Sequence, residues 1–285
     1  MPTRRALPLL ALPFAARAQE RRVAVASFTI LGDFARHMAG EGWEVRVLAG
    51  PEVDPHHFQP RPSDAALLRG AQLAIRNGAG FDGWFDRLLR GAGFRGRLVT
   101  ATEGLPLLRA AAGGHSHGGL DPHGWQDARL AMGYARHIAA AMEADPAPLL
   151  ARMEAVDRDI RAALAPIPEA RRLVVTSHDA FAHYGAAYGV RFLAPQGVST
   201  QAEPSAQQVA ALIRQIRAQR IRAVFMENVA NPATLRRLAE EAGVSIRGRL
   251  YADALTGPDG PAPSWEAMMR HNTALLAAAM ADGAG

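Results

Sequence analysis

Four short strings in this chain end in residues that bind divalent transition metals: Asp54-Pro55-His56, Asp121-Pro122-His123, Thr176-Ser177-His178 and Tyr251-Ala252-Asp253. Three imidazoles and one carboxylate form a complete coordination shell for an ion such as zinc. The four residues are spread over about two hundred positions, so only a folded protein can gather them. With every position filled by protein, no place remains for a reacting water, which favours capture and delivery of an ion over catalysis. Just ahead of the second Asp-Pro-His string stands Gly113-Gly114-His115-Ser116-His117-Gly118-Gly119, a glycine-flanked, imidazole-bearing loop suited to collecting metal. His57 follows His56 directly, and adjacent side chains diverge, so it is placed outside the shell. Glu227 is a candidate for orienting a ligand from behind.

The elements that must position these residues alternate in type. Arg21–Ser27, Val45–Leu48, Leu73–Asn77 and Arg97–Thr100 are strand-like, with helical periodicity over 28–38, 63–70 and 81–89 between them. Strand and helix joined by short connections predict a parallel sheet with helices on its faces. The alternation resumes with strands at 173–176, 190–193, 223–226 and 244–250 and helices from Ser177, Glu203, Asn231 and Trp265. Between the halves, Leu149, Met153, Val156, Ile160 and Leu164 fall four, three, four and four apart, one apolar stripe on a helix of roughly 28 Å at ~1.5 Å per residue. The expectation is two α/β lobes, 19–144 and 169–285, around one long rigid linking helix, 145–168. Ligands in such lobes gather beyond the C-terminal ends of strands. His56 and His123 belong to the first lobe and His178 and Asp253 to the second, which places the metal between them. The proline before His56 and before His123 restricts the backbone at each.

Composition narrows the function classes. Of 285 residues, 49% are hydrophobic and 21% charged, ordinary for a globular chain. The absence of cysteine excludes disulfides, thiolate metal sites and a lipidated N-terminal cysteine. Residues 1–18 read as a secretory signal peptide, with Arg4 and Arg5 ahead of a short apolar run and Ala16-Arg17-Ala18 as its cleavage site. Removing Arg4, Arg5 and Arg17 leaves 29 arginines against 27 acids, a net +2. With no arginine-rich run, a nucleic-acid partner is not expected. No later apolar stretch is long enough to cross a membrane. A periplasmic monomer is the expectation.

Several motifs, in order, resemble the periplasmic metal-binding proteins of zinc and manganese ABC importers, the cluster A-I solute-binding proteins with a rigid helical linker. They are Asp54-Pro55-His56-His57-Phe58 with Pro62-Ser63-Asp64, Ala74 to Gly78, Asp121-Pro122-His123-Gly124-Trp125, Ser177-His178-Asp179-Ala180-Phe181, Glu203-Pro204-Ser205, Glu227, Tyr251 to Leu255, and Trp265 to Asn272. The resemblance implies two lobes of four-stranded parallel sheet joined by one long helix. It implies His56, His123, His178 and Asp253 as metal ligands, a membrane permease as partner, and no enzymatic activity. A histidine at the third ligand position, where manganese-selective members tend to carry glutamate, favours Zn2+ over the alternative Mn2+ or iron. The loop bearing His115 and His117 resembles that of zinc members. A zinc hydrolase is the remaining rival; it needs an open coordination position and a base, and no His-Glu-x-x-His string occurs. Binding needs neutral imidazoles, so affinity is expected to fall as pH drops through the histidine range near ~6.5. Because the linking helix resists a wide hinge motion, release is expected through local rearrangement.

Overall fold

The computed structural model describes residues 21–110, 119–200, 204–229 and 231–282. The chain begins with β1 (Arg22–Phe28), α1 (Thr29–Met38), β2 (Trp43–Ala49), α2 (Pro62–Gly70), β3 (Leu73–Arg76), α3 (Gly83–Ala92) and β4 (Arg97–Thr100). The four strands form one parallel sheet in the order β2-β1-β3-β4. Ala24, Val25, Ala26, Leu73, Ala74 and Ile75 are fully buried, as expected for central strands covered on both faces. A 3-10 turn at Gly124–Gln126 leads into α4 (Ala128–Met142), whose start is capped by Asp127 accepting the Arg129 N–H at 2.8 Å.

The linking helix is α5 (Ala147–Leu164), and its predicted stripe of Leu149, Met153, Val156, Ile160 and Leu164 is buried along its whole length. It packs against α4 on one side and the last helix on the other. The second lobe runs through β5 (Leu173–Val175), α6 (Ala182–Tyr188), β6 (Arg191–Leu193), α7 (Ala206–Gln219), β7 (Val224–Glu227), α8 (Pro232–Ala242), β8 (Ile246–Leu250) and α9 (Trp265–Ala281). Its parallel sheet has the order β6-β5-β7-β8, the same winding as the first. In both sheets the winding reverses beside the first strand, the place where open α/β sheets bind their ligands.

One buried apolar cluster runs through both lobes. It joins Val25, Phe28, Phe34 and Trp125 of the first to Phe181, Tyr184, Phe225, Leu250 and Trp265 of the second by way of α4 and α5. A smaller cluster, with Leu212, Ile216, Val224 and Leu238, lies within the second lobe alone.

Two local features differ from the sequence reading. The helix expected to open at Ser177 begins only at Ala182. The Ser177 and His178 N–H groups, which a helix start would leave for capping, are instead bound by Glu227 Oε1. In β8 the pairing with β7 slips by one residue between Val224 and Met226, with Gly248 at φ 152°. The slip sets Glu227 opposite Leu250 and delivers the following residues to the space between the lobes.

Candidate metal centre

The two Asp-Pro-His strings fold alike. In each, the aspartate Oδ1 accepts the N–H of the histidine two residues on, at 2.8 Å for Asp54 and His56 and 3.0 Å for Asp121 and His123. In each, the proline carbonyl is held from the first lobe: Pro55 O by Trp84 Nε1 at 2.7 Å, and Pro122 O by Asn77 Nδ2 at 2.9 Å. Gly78, next to Asn77, has φ +88°, and a Cβ there would meet Thr100 Cγ2 at 2.4 Å, so this turn requires glycine. Asp121 goes further than Asp54, since its Oδ1 also meets His123 Nδ1 at 2.6 Å. His183 Nε2, from α6, lies 3.1 Å from the Asp121 carbonyl oxygen.

His178 follows β5 and is backed by Glu227 at the end of β7. One Glu227 oxygen accepts Ser177 N (2.7 Å) and His178 N (2.9 Å), and the other meets His178 Nδ1. Asp253 lies in a strap after β8 that is tied on several sides. Asn272 brackets Tyr251 through both its N–H and its carbonyl. Trp125 Nε1 and Gln126 Nε2, from the first lobe, both donate to Ala252 O at 2.9 Å. Leu255 N donates to Thr29 Oγ1 at 2.8 Å.

These supports bring His56, His123, His178 and Asp253 together, with one ligand atom of each within 4.8 Å of all the others. The Nε2 atoms of His56 and His178 stand 3.3 and 3.1 Å from Asp253 Oδ2, and His123 Nε2 stands 3.5 Å from Oδ1. A tetrahedral ion with bonds of ~2.0–2.1 Å separates its ligand atoms by about 3.3–3.4 Å, close to these three separations from the Asp253 carboxylate. His123, His178 and Asp253 are fully buried and His56 is 5% exposed. His123 Nε2, His178 Nε2 and both Asp253 oxygens are buried and face one another rather than partners elsewhere in the described residues. Buried polar atoms are seldom left so, and lone pairs turned on one point suit a cation.

The electrostatics divide the histidines. Burial holds the His56 imidazole below its usual range, against the pull of Asp253. Burial acts the same way on His178, but the Glu227 and Asp253 carboxylates outweigh it and push that imidazole well above the usual range. Asp253 is pushed up by burial, yet the surrounding histidines, His178 first, hold it well below the ordinary carboxylate range. Asp121 is likewise held down by His123 against the effect of burial.

The structure leaves His57 outside the cluster, with its side chain 45% exposed and Nε2 3.9 Å from Asp54 Oδ2. His115, His117 and Glu203 lie outside the described residues. Glu227 stands behind His178. Sequence reasoning missed Asp121 as the carboxylate behind His123, and the repeated Asp-Pro-His spacing was the available signal. It also missed the pairing of Asp54 with Thr200 and the hold of Trp125 and Gln126 on the Asp253 strap, which join residues distant in sequence and leave no local pattern. No helix among the described residues is long and apolar enough to cross a membrane.

Two like α/β lobes with a buried cation-binding cluster between the ends of their strands define a solute-binding protein for a metal ion. The family described as "Zinc-uptake complex component A periplasmic" matches residues 24–279, and the chain belongs to that family: metal-binding components of ABC importers, not enzymes. It is 30% identical over 266 residues to the iron-binding protein YfeA of Yersinia pestis, covering 89% of this chain and 84% of that one. It is 26% identical to the manganese-binding lipoprotein MntA of Bacillus subtilis, covering 92% and 91%. The fold matches the periplasmic zinc-binding protein TroA of Treponema pallidum with a TM-score of 0.84 at 23% identity, over 92% of this chain and 99% of that one. It also matches a manganese-bound periplasmic metal-binding protein of candidatus liberibacter asiaticus with a TM-score of 0.80 at 21% identity, over 91% of this chain and 100% of that one.

Proposed function

We propose that this protein is a high-affinity extracytoplasmic zinc-binding protein that captures Zn2+ and hands it to the membrane permease of an ABC importer. Its ligands are His56, His123, His178 and Asp253. The observation that supports this best is the convergence of three imidazole nitrogens and one carboxylate within 4.8 Å in a buried pocket. Three imidazoles suit zinc better than manganese, which favours oxygen ligands. The chain is exported by a signal peptide over residues 1–18. It works in the periplasm as a monomer of two lobes, 19–144 and 169–285, joined through 145–168. His115 and His117 serve as accessory collectors of metal. Because the apolar core is continuous across the lobes, the ion is released by local rearrangement near the ligands.

Manganese or iron binding on the same site is the second reading, favoured by the names of the relatives, among them an iron-binding and a manganese-binding protein. Metal content measured by mass spectrometry on untagged protein, with zinc and manganese competing for the site, separates the two. One equivalent of zinc, retained against manganese and lost in His178→Ala, is the expected result. Retention of manganese against zinc would overturn the zinc assignment and keep the transport role.

A further inference from the structure

The two carboxylate oxygens of Asp54 face different lobes. Oδ1 accepts the His56 N–H at 2.8 Å, closing the turn that aims the imidazole. Oδ2 accepts the hydroxyl of Thr200, 2.8 Å away, from the second-lobe segment 194–200 that follows β6. That segment flanks the centre: Gln196 bridges to His178, and Asp179 N donates to Gly197 O at 3.3 Å. One carboxylate therefore ties the loop bearing a first-lobe ligand to the segment beside a second-lobe ligand.

This tie differs from the other links between the lobes. Trp125, Gln126 and Thr29 grip the Asp253 strap in the buried interior, whereas Asp54 and Thr200 are half-buried. His56 is also the one ligand with residual exposure, and it borders a groove of about 860 Å3 lined by His57, Phe58, Phe81 and Trp84. His57 Nε2, exposed, stands 3.9 Å from the same Asp54 oxygen that Thr200 holds.

We infer that Thr200 is a positioning residue that sets how long the cation stays bound. While its hydroxyl holds Asp54, the His56 loop is fixed against the other ligands. When the bond breaks, His57 is placed to take over the Asp54 oxygen, and His56 turns toward the groove, opening the shell on its most exposed side. The carboxylate oxygen has a donor in both arrangements, so exchanging one for the other is inexpensive. This inference rests on the ligand assignment proposed above.

The test is stopped-flow transfer of zinc from the full-length protein to a chromophoric chelator, with wild type, Thr200→Val and Thr200→Ser compared. Thr200→Val removes the hydroxyl at nearly constant shape. It is expected to speed dissociation about tenfold, as loss of a hydrogen bond to a charged acceptor does, while the association rate stays within about twofold. Thr200→Ser keeps the hydroxyl and is expected to restore the slow rate. If Thr200→Val releases zinc at the wild-type rate, or Thr200→Ser releases it as fast as Thr200→Val, the inference falls while the ligand assignment stands. Failure of the wild type to bind zinc at all brings down both.

Discussion

Glu227 holds the Ser177-His178 pair by three atoms at once: its Oε1 accepts the backbone N–H groups of Ser177 and His178, and its Oε2 meets the His178 ring Nδ1. This leaves Nε2, the atom facing Asp253, with its lone pair directed at the cation position. In Glu227→Gln the amide oxygen can keep the two backbone N–H groups, but the amino group then donates to Nδ1. The ring proton is forced to Nε2, where it blocks ligation. Zinc affinity, measured by competition with a chelator, is expected to fall 10–100-fold with little change in the circular dichroism spectrum. Unchanged affinity would show that Glu227 only fixes the backbone.

Deleting a deep ligand has a sharper effect. On the proposed ligand set, His123→Ala takes away one of four donors. On the proposed zinc assignment, added zinc is expected to raise the melting temperature of the wild type, because a ligand that binds only the native state stabilises it. In His123→Ala this rise is expected to vanish. A rise as large as in the wild type would place the cation elsewhere.

The pH dependence follows from His178. Without a cation its imidazole titrates well above 6.5 in the folded protein. A raised value means that the stabilisation is fully present below the unfolded value and is lost as pH rises through the folded one. A cation needs that imidazole neutral, so its affinity gains as pH rises over the same window. The gap in melting temperature between zinc-loaded and chelator-treated protein is therefore expected to widen as pH rises above the ordinary histidine value of ~6.5. Titration calorimetry in buffers of different ionisation heat should also detect proton release on zinc binding. A gap that narrows as pH rises would contradict the charge assignment at His178.

Ile160 tests the linking helix independently of the metal. It is fully buried on the α5 stripe. Ile160→Ala removes three carbons from a packed interior and is expected to cost about 2–5 kcal/mol by urea denaturation. Zinc affinity of the folded fraction should stay near the wild-type value, since α5 carries no ligand.

The sequence made legible what local pattern encodes. The strands at 73–76, 97–100 and 173–175, the buried stripe on α5 and the alternation that implies parallel sheets were all visible in residue order. The four residues singled out as ligands lie together in the structure, each ending a short motif whose neighbours also have places in the site: the Pro55, Pro122 and Ala252 carbonyls and the Ser177 N–H are held, and Asp54 and Asp121 cap the turns. What remained hidden was pairing between distant residues. Asp54 with Thr200, Trp125 with Ala252 and Glu227 with His178 join segments that only folding brings together. The contact of the Ser177 and His178 N–H groups with a carboxylate about fifty residues downstream was hidden for the same reason.

The apolar cluster shared by the two lobes has a consequence for how the molecule comes apart. Its side chains lie on both sides of α5 in one contiguous cluster, so loosening one side exposes the other to water. Heating is expected to give one calorimetric transition, with the calorimetric and van't Hoff enthalpies in agreement, despite the bilobed outline. The outer part of the second lobe, around Leu212, Ile216 and Leu238, is built on its own smaller cluster. It is the region where amide hydrogens should exchange through partial opening ahead of the whole.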